Sequence, residues 1–129
     1  MPRHLSAPDP RASRGARAEQ AIADEIASRG WTLIDRNFRT RYGEIDLVAL
    51  DGDVLVFVEV RARTGTSFGV ADETVGRRKL ERIMSAALSY IEQHPEYAES
   101  WWRVDLFAIT LNRAGAIIAC RQYENLTLD

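Results

Sequence analysis

An Asp-Gly pair set between two apolar runs limits the fold of this chain more than any other stretch. Residues 43–61 read GEIDLVALDGDVLVFVEVR. Asp51-Gly52 is a preferred pair for a two-residue hairpin loop, so the flanking runs are expected to be antiparallel strands. With that pair as the loop, Val48 faces Leu55, Asp46 faces Phe57 and Glu44 faces Glu59. Strand side chains alternate between faces. Glu44, Asp46, Glu59 and Arg61 are therefore expected on one face, and the row Val54, Val56, Val58, Val60 with Ile45, Leu47 and Ala49 on the other. Asp46 and Glu59 become diagonal neighbours, roughly 7–8 Å apart.

The stretch holds five acids and no base until Arg61 closes it. Like charges at this spacing repel, and burying them is costly. A divalent cation relieves both penalties, and Mg²⁺ takes one or two carboxylates with water and phosphate oxygens completing its shell. Asp46 and Glu59 with a cation beside them thus suggest a hard-metal site. The plain alternative is the solvated outer face of an antiparallel hairpin, where acids are ordinary. Against it, Val54–Val58 is apolar on both faces up to Glu59, as in a strand covered on both sides.

Length and charge set further bounds. The chain has 129 residues and a net charge of −2, enough for one domain with a proper core and without a bulk basic signal for nucleic acid. Charge is unevenly placed: basic through residue 42, acidic over 43–60, basic again over 61–82. An acidic centre between basic flanks suits a metal site with phosphate-contacting walls; charge scatter explains it equally well. The single cysteine, Cys120, excludes an intrachain disulfide, fits a reducing cytoplasm and is expected to be a small buried residue. Neither His4 nor His94 has a partner at zinc-ligand spacing. No segment is long and apolar enough for a membrane span or a secretory leader, so a cytoplasmic protein without membrane contact is expected.

Along the chain, Pro-rich residues 1–13 read as a disordered tail and the rest as one domain. A helix is expected from Arg14 to Arg29, with Ser13 as its cap, Gly30 just past its end, an apolar stripe of Ala18, Ile22 and Ile26, and Glu19 beside that stripe. Trp31–Phe38 reads as a strand. Arg39, Arg41 and Tyr42 lead into the acidic hairpin, where they could hold phosphates and stack on bases or simply form a charged turn. Residues 62–73 read as a long polar loop. A second helix is expected from Thr74 to Gln93, its stripe formed by Leu80, Ile83, Met84, Ala87, Leu88 and Ile91. Its first turns carry Arg77, Arg78, Lys79 and Arg82, which oppose the helix dipole and hint at an anionic partner. Two strands follow, Trp102–Leu111 and Ala116–Tyr123. The expected class is α/β, in the order α-β-β-β-α-β-β.

Glu19, Asn37-x-Arg39, Gly43-Glu44-Ile45-Asp46-Leu47-Val48, Val56-Phe57-Val58-Glu59-Val60-Arg61-x-Arg63, Phe68-Gly69, Lys79 and Arg103-Val104-Asp105 together resemble the bacterial YraN family, an uncharacterised protein family numbered UPF0102. The likeness covers about residues 14–125. That family is similar to archaeal Holliday-junction resolvases and to the wider restriction-endonuclease-like PD-(D/E)xK nucleases. The resemblance implies a central mixed β-sheet of about five strands flanked by helices, dependence on Mg²⁺ (or Mn²⁺), and cleavage of DNA phosphodiesters, with branched or junction DNA among the expected substrates. A homodimer is in keeping with it.

Carried over by motif, Asp46 matches the first acid, Glu59 the second, Arg61 the motif lysine, and Glu19 the helix acid of the resolvase-like branch. Asp46, Glu59 and Glu19 are the implied metal ligands. Arg39, Arg41, Tyr42, Arg63, Arg77, Arg78 and Lys79 are the expected nucleic-acid contacts. Arg61 departs from the pattern: arginine is a poor general base, although it can hold a phosphate. Lys79 is the only lysine beside sixteen arginines, so a lysine moved to the second helix is a candidate for the same site. Ile45 stands where the pattern has proline. Three readings stay open: a metal-dependent DNase, a nucleic-acid-binding module that has lost its chemistry, and a partner-binding scaffold.

Overall fold

The computed structural model describes residues 14–64 and 75–128. The expected tail at 1–13, most of the polar loop at 62–73, and Thr74 lie outside the described residues. The elements are α1 (Arg14–Ser28), β1 (Thr32–Arg39), β2 (Glu44–Asp51), β3 (Val54–Thr64), α2 (Arg77–Gln93), a 3-10 turn at Pro95–Tyr97, β4 (Trp102–Leu111) and β5 (Ile117–Tyr123). The order is the expected α-β-β-β-α-β-β. The strands form one mixed sheet in the order β1-β2-β3-β4-β5. Every neighbouring pair is antiparallel except β3 and β4, which run parallel because α2 carries the chain back between them. This five-stranded arrangement between two helices is consistent with a restriction-endonuclease-like fold.

Each helix covers one side of the sheet. Ala18, Ile22, Ala23 and Ile26 of α1 pack on Leu47, Ala49, Val56, Val58, Phe107 and Ile109. Leu80, Ile83, Ala86, Ala87 and Tyr90 of α2 pack on Ile45, Val48, Leu55, Phe57 and Val104. Leu55 to Glu59 are buried without a break, as expected for a central strand covered on both sides. Phe57 is fully buried, and Tyr90 and Trp102 meet its ring edge to face. Burying a side chain of this kind contributes about 1.5–3 kcal/mol. Helix α1 ends as expected at Gly30, whose φ is +85°. The Gly30 and Trp31 amides donate to the carbonyls of Ala27 and Ile26, closing the last turn.

Four expectations are corrected. The hairpin loop is Gly52-Asp53, with Asp51 paired to Val54. Gly52 holds φ +61° at the first central position, which suits the right-handed strand twist. The register therefore moves by two: Leu50 faces Leu55 and Val48 faces Phe57. Second, Ile45 lies on the α2 side while Leu47 lies on the α1 side, so Ile45, Leu47 and Ala49 do not share a face. Third, Leu88 is exposed, because it falls about 100° round the helix from Ala87. Fourth, Cys120 is exposed, since β5 is an edge strand with only its last residues partly covered. Among the described residues, no helix is long and apolar enough to cross a membrane.

Candidate metal and nucleic-acid site

The break in alternation falls at one rung of the sheet. Arg36 pairs with Leu47 and Phe38 with Ile45, which leaves Asn37 against Asp46. Arg36 and Leu47 point to the α1 side, where an Arg36 guanidinium N–H donates to Gln20. Phe38 and Ile45 point to the α2 side. Both strands turn over between these pairs. Asn37 accommodates the turn with φ +51°, a left-handed conformation that asparagine tolerates better than most residues.

The same rung ends the β2–β3 ladder. Pairing stops at Leu47 and Val58, although β2 begins at Glu44 and β3 runs on to Thr64 beside β4. The Val60 amide, left without a backbone acceptor on β2, donates to Asp46 Oδ2 at 2.8 Å. Asp46 thus sits in the gap where the two strands part, with its carboxylate standing in for a missing carbonyl.

Glu59 flanks this gap from the α2 side and is 7% exposed. Its Oε1 lies 3.4 Å from Lys79 Nζ in the first turn of α2. Burial pushes the Glu59 carboxyl up to about 7, and repulsion by Asp46 adds to this, while Lys79 and Arg61 pull the other way. Asp46 is likewise raised, first by burial; the Val60 amide offsets this in part, Glu44 adds to it, and Lys79 and Glu59 pull the other way.

Glu19 approaches from the opposite side. It shares with Asp46, Glu44, Asn37 and Arg39 a pocket of about 220 Å³ beneath α1. Burial raises its carboxyl first, then repulsion by Asp46 and Glu44, offset in part by Arg36 and Arg39. Glu59 does not line this pocket. The expected single face carrying Glu44, Asp46, Glu59 and Arg61 is therefore replaced by a site that runs through the sheet. Glu44 and Glu19 lie on the α1 side, Glu59 on the α2 side, and Asp46 lies between. Arg61, two residues beyond Glu59 on β3, shares its side by alternation. Among the described residues, no three His, Cys, Asp or Glu side chains converge tightly enough to form a metal site by themselves.

The expected nucleic-acid contacts surround this gap. Arg39 closes β1 and pairs with Glu44 at 3.3 Å, both exposed. Arg41 and Tyr42 stand out on the β1–β2 turn, Arg41 donating to the Tyr42 hydroxyl at 2.7 Å. Arg63 is partly buried on β3, opposite Thr110. Arg77, Arg78 and Lys79 open α2, all exposed, with Arg77 paired to Glu81. Gly43 brings turn and helix together: a Cβ there would stand 2.7 Å from the Arg82 carbonyl oxygen. Only glycine permits this approach, so the opening residue of the GEID run has a packing reason. The Thr40 amide donates to the Gly43 carbonyl, and the Tyr42 and Gly43 amides donate to the Thr40 hydroxyl. Asn37 is the residue of the site to which the sequence reading gave no role. Its signals were its place in the Asn37-x-Arg39 motif and an asparagine within an otherwise strand-like run.

The donor set suits a hard cation. Two carboxylates raised first by burial and then by neighbouring acids gain from a divalent ion, and oxygen ligands favour Mg²⁺ or Mn²⁺ over softer metals. Comparison with known proteins agrees with the sequence motifs. The profile of UPF0102, an uncharacterised protein family, matches residues 18–109. A UPF0102 protein of Pelotomaculum thermopropionicum is 39% identical over 91% of this chain and 97% of its own. One from Chloroflexus aurantiacus is 42% identical over 86% of this chain and 89% of its own. One from Halorhodospira halophila is 44% identical over 78% of each. The chain belongs to the uncharacterised protein family UPF0102.

Proposed function

We propose that this protein is a metal-dependent endonuclease that hydrolyses DNA phosphodiester bonds. The observation that carries the reading is the Asp46–Glu59 pair: a half-buried and a buried acid held at the point where β2 and β3 separate, with a lysine ammonium 3.4 Å from one of them. Structural acids are usually saturated by donors. These two face each other, and burial with repulsion disfavours their charged forms. Perturbed acids in such settings mark functional sites more often than scaffolding.

Asp46 and Glu59 would hold Mg²⁺ or Mn²⁺, with Glu19 reaching it directly or through water. Bound there, the ion would supply a Lewis acid that lowers the pKa of its water and offsets charge on the phosphate. The chain's own groups do the rest. The Val60 amide fixes the Asp46 carboxylate, which keeps its other oxygen available as a ligand. Lys79 orients Glu59 from the first turn of α2, 3.4 Å from its Oε1. The lysine on α2 thus takes the place that the motif usually fills from the strand. Arg61 holds the scissile phosphate, and Arg39, Arg41, Arg63, Arg77 and Arg78 place the backbone.

The test is a cleavage panel of linear, nicked, flapped and four-way DNA with Mg²⁺, Mn²⁺ and Ca²⁺. Cutting is expected with Mg²⁺ or Mn²⁺ and is lost in Asp46→Ala. Lys79→Ala should lower the rate further than Arg61→Ala if the lysine has moved. Among the described residues no third acid converges on the pair tightly enough for a metal site, which favours a second reading, a DNA-binding module without chemistry. Salt-sensitive binding with no cutting under either metal would replace the first reading by this one.

A further inference from the structure

The β1–β2 turn presents an exposed aromatic ring backed by a guanidinium. The Arg41 carbon lies 4.9 Å from the Tyr42 ring centroid. The same guanidinium donates to the Tyr42 hydroxyl at 2.7 Å, which fixes the ring. Tyr42 is nevertheless 52% exposed. The turn beneath is stiff, tied by Thr40 to Gly43 and pressed against the Arg82 backbone. The ring is thus held by its neighbour with about half of its surface open to water.

We propose that Arg41 and Tyr42 form a stacking platform for one unpaired nucleobase next to the acidic site. The proposal rests on the nucleic-acid reading above and specifies its substrate: DNA with a single-stranded segment at the point of attack. Every base offers a π-face, so a ring of this kind binds without sequence preference. A guanidinium behind the ring adds cation–π attraction. Position supports the assignment. Asp46 is four residues on from Tyr42, at most roughly 14 Å by chain length, or about four stacked base steps of 3.4 Å. Exposed Arg78 and Arg82 lie one turn apart on α2, and the Arg82 backbone touches the turn. They supply positive charge for the phosphates beside the stacked base. A paired base would present its face to its neighbours in the helix and gain nothing from the platform.

Binding to single-stranded oligodeoxynucleotides carrying 2-aminopurine, to matching oligoribonucleotides and to blunt duplex DNA is measured in Ca²⁺ with the full chain. Tyr42→Ala should weaken single-strand binding about tenfold and abolish the stacking-dependent fluorescence change, while duplex binding stays within about twofold. Tyr42→Phe, which loses the hydroxyl and keeps the face, should retain the signal. Trp101→Ala serves as a control, because Trp101 is 83% exposed and hydrogen-bonded by its carbonyl to Leu55 at the far end of β3. Equal loss on duplex and single strand, loss in Tyr42→Phe equal to Tyr42→Ala, or loss confined to RNA would each overturn the proposal. None of these measurements uses cleavage, so a protein that fails to cut would end the hydrolytic reading and leave the platform standing.

Discussion

Two buried acids on successive rungs of the central strands have opposite surroundings. Asp105 on β4 faces Val58, and Glu59 on β3 faces Leu106. Asp105 is fully buried and saturated with donors: Arg103 Nε reaches both of its oxygens, and Gln122 Nε2 and the Asn125 amide donate at 3.0 Å. Arg103 is anchored in turn by Asp51 and Glu124 and stacks over Trp31. Among the described residues, Glu59 meets Lys79 at 3.4 Å, with Arg61 acting in the same sense and a second acid beside it. One carboxylate staples β4 to β5 and the chain end; the other is held in a strained electrostatic state that a cation would relieve. The difference teaches that burial alone does not decide how an acid is held; the donors around it do.

That contrast can be broken by experiment. The largest expected effect is on Asp105→Ala, which strips the guanidinium of its buried partner. It should cost about 3–5 kcal/mol, read as a lower urea midpoint. Glu59→Gln at pH 8 should leave stability unchanged or higher while ending any cutting. A loss in Glu59→Gln equal to that in Asp105→Ala would erase the distinction.

The second effect is on pH. The folded Glu59 carboxyl lies near 7, above the ordinary 4.5 of the unfolded chain. The folded form thus binds the proton more tightly, and stability falls as pH rises from about 4.5 to about 7, then levels. Asp46 acts in the same direction. The fall should be on the order of 3 kcal/mol or more in EDTA and flatter in Glu59→Gln. Because ligation needs ionised carboxylates, Mg²⁺ should raise the melting temperature more at pH 8 than at pH 5.5. A rise that is the same at both would remove the pair from the metal site.

Smaller again is Gly43→Ala, whose methyl would meet the Arg82 carbonyl. A cost of about 1–3 kcal/mol is expected, with single-strand binding falling as the turn leaves α2. An unchanged melting curve would show that turn and helix are not clamped.

Much of this was legible in the sequence. Apolar patterning located both helices and all five strands, because every element but the largely exposed β5 buries a stripe or a face. Gly30 marked the end of α1 through its backbone freedom. The hairpin register was misread by two residues, since Asp51-Gly52 and Gly52-Asp53 both suit a tight loop and the choice depends on which residue takes φ > 0. A shift of two preserves faces, so the core survived the error. The face of Ile45 and the split of the acids did not follow, because alternation assumes unbroken pairing and the turnover at Asn37 and Asp46 is a cross-strand event. Cys120 was misplaced because an apolar edge strand has the composition of a core strand. Lys79 was noticed for its rarity, but only the packing of α2 puts it beside Glu59.

Both outer strands carry one surplus residue: Ile34 on β1 and Ile118 on β5 are skipped by their partners' registers. Such kinks twist a border strand away from flatness, and a flat, apolar border invites strangers to dock and keep stacking. Ile117 and Ile118 sit on that border in open water. Removing the surplus at 118 would straighten it and leave a flatter apolar border open to pairing with another strand.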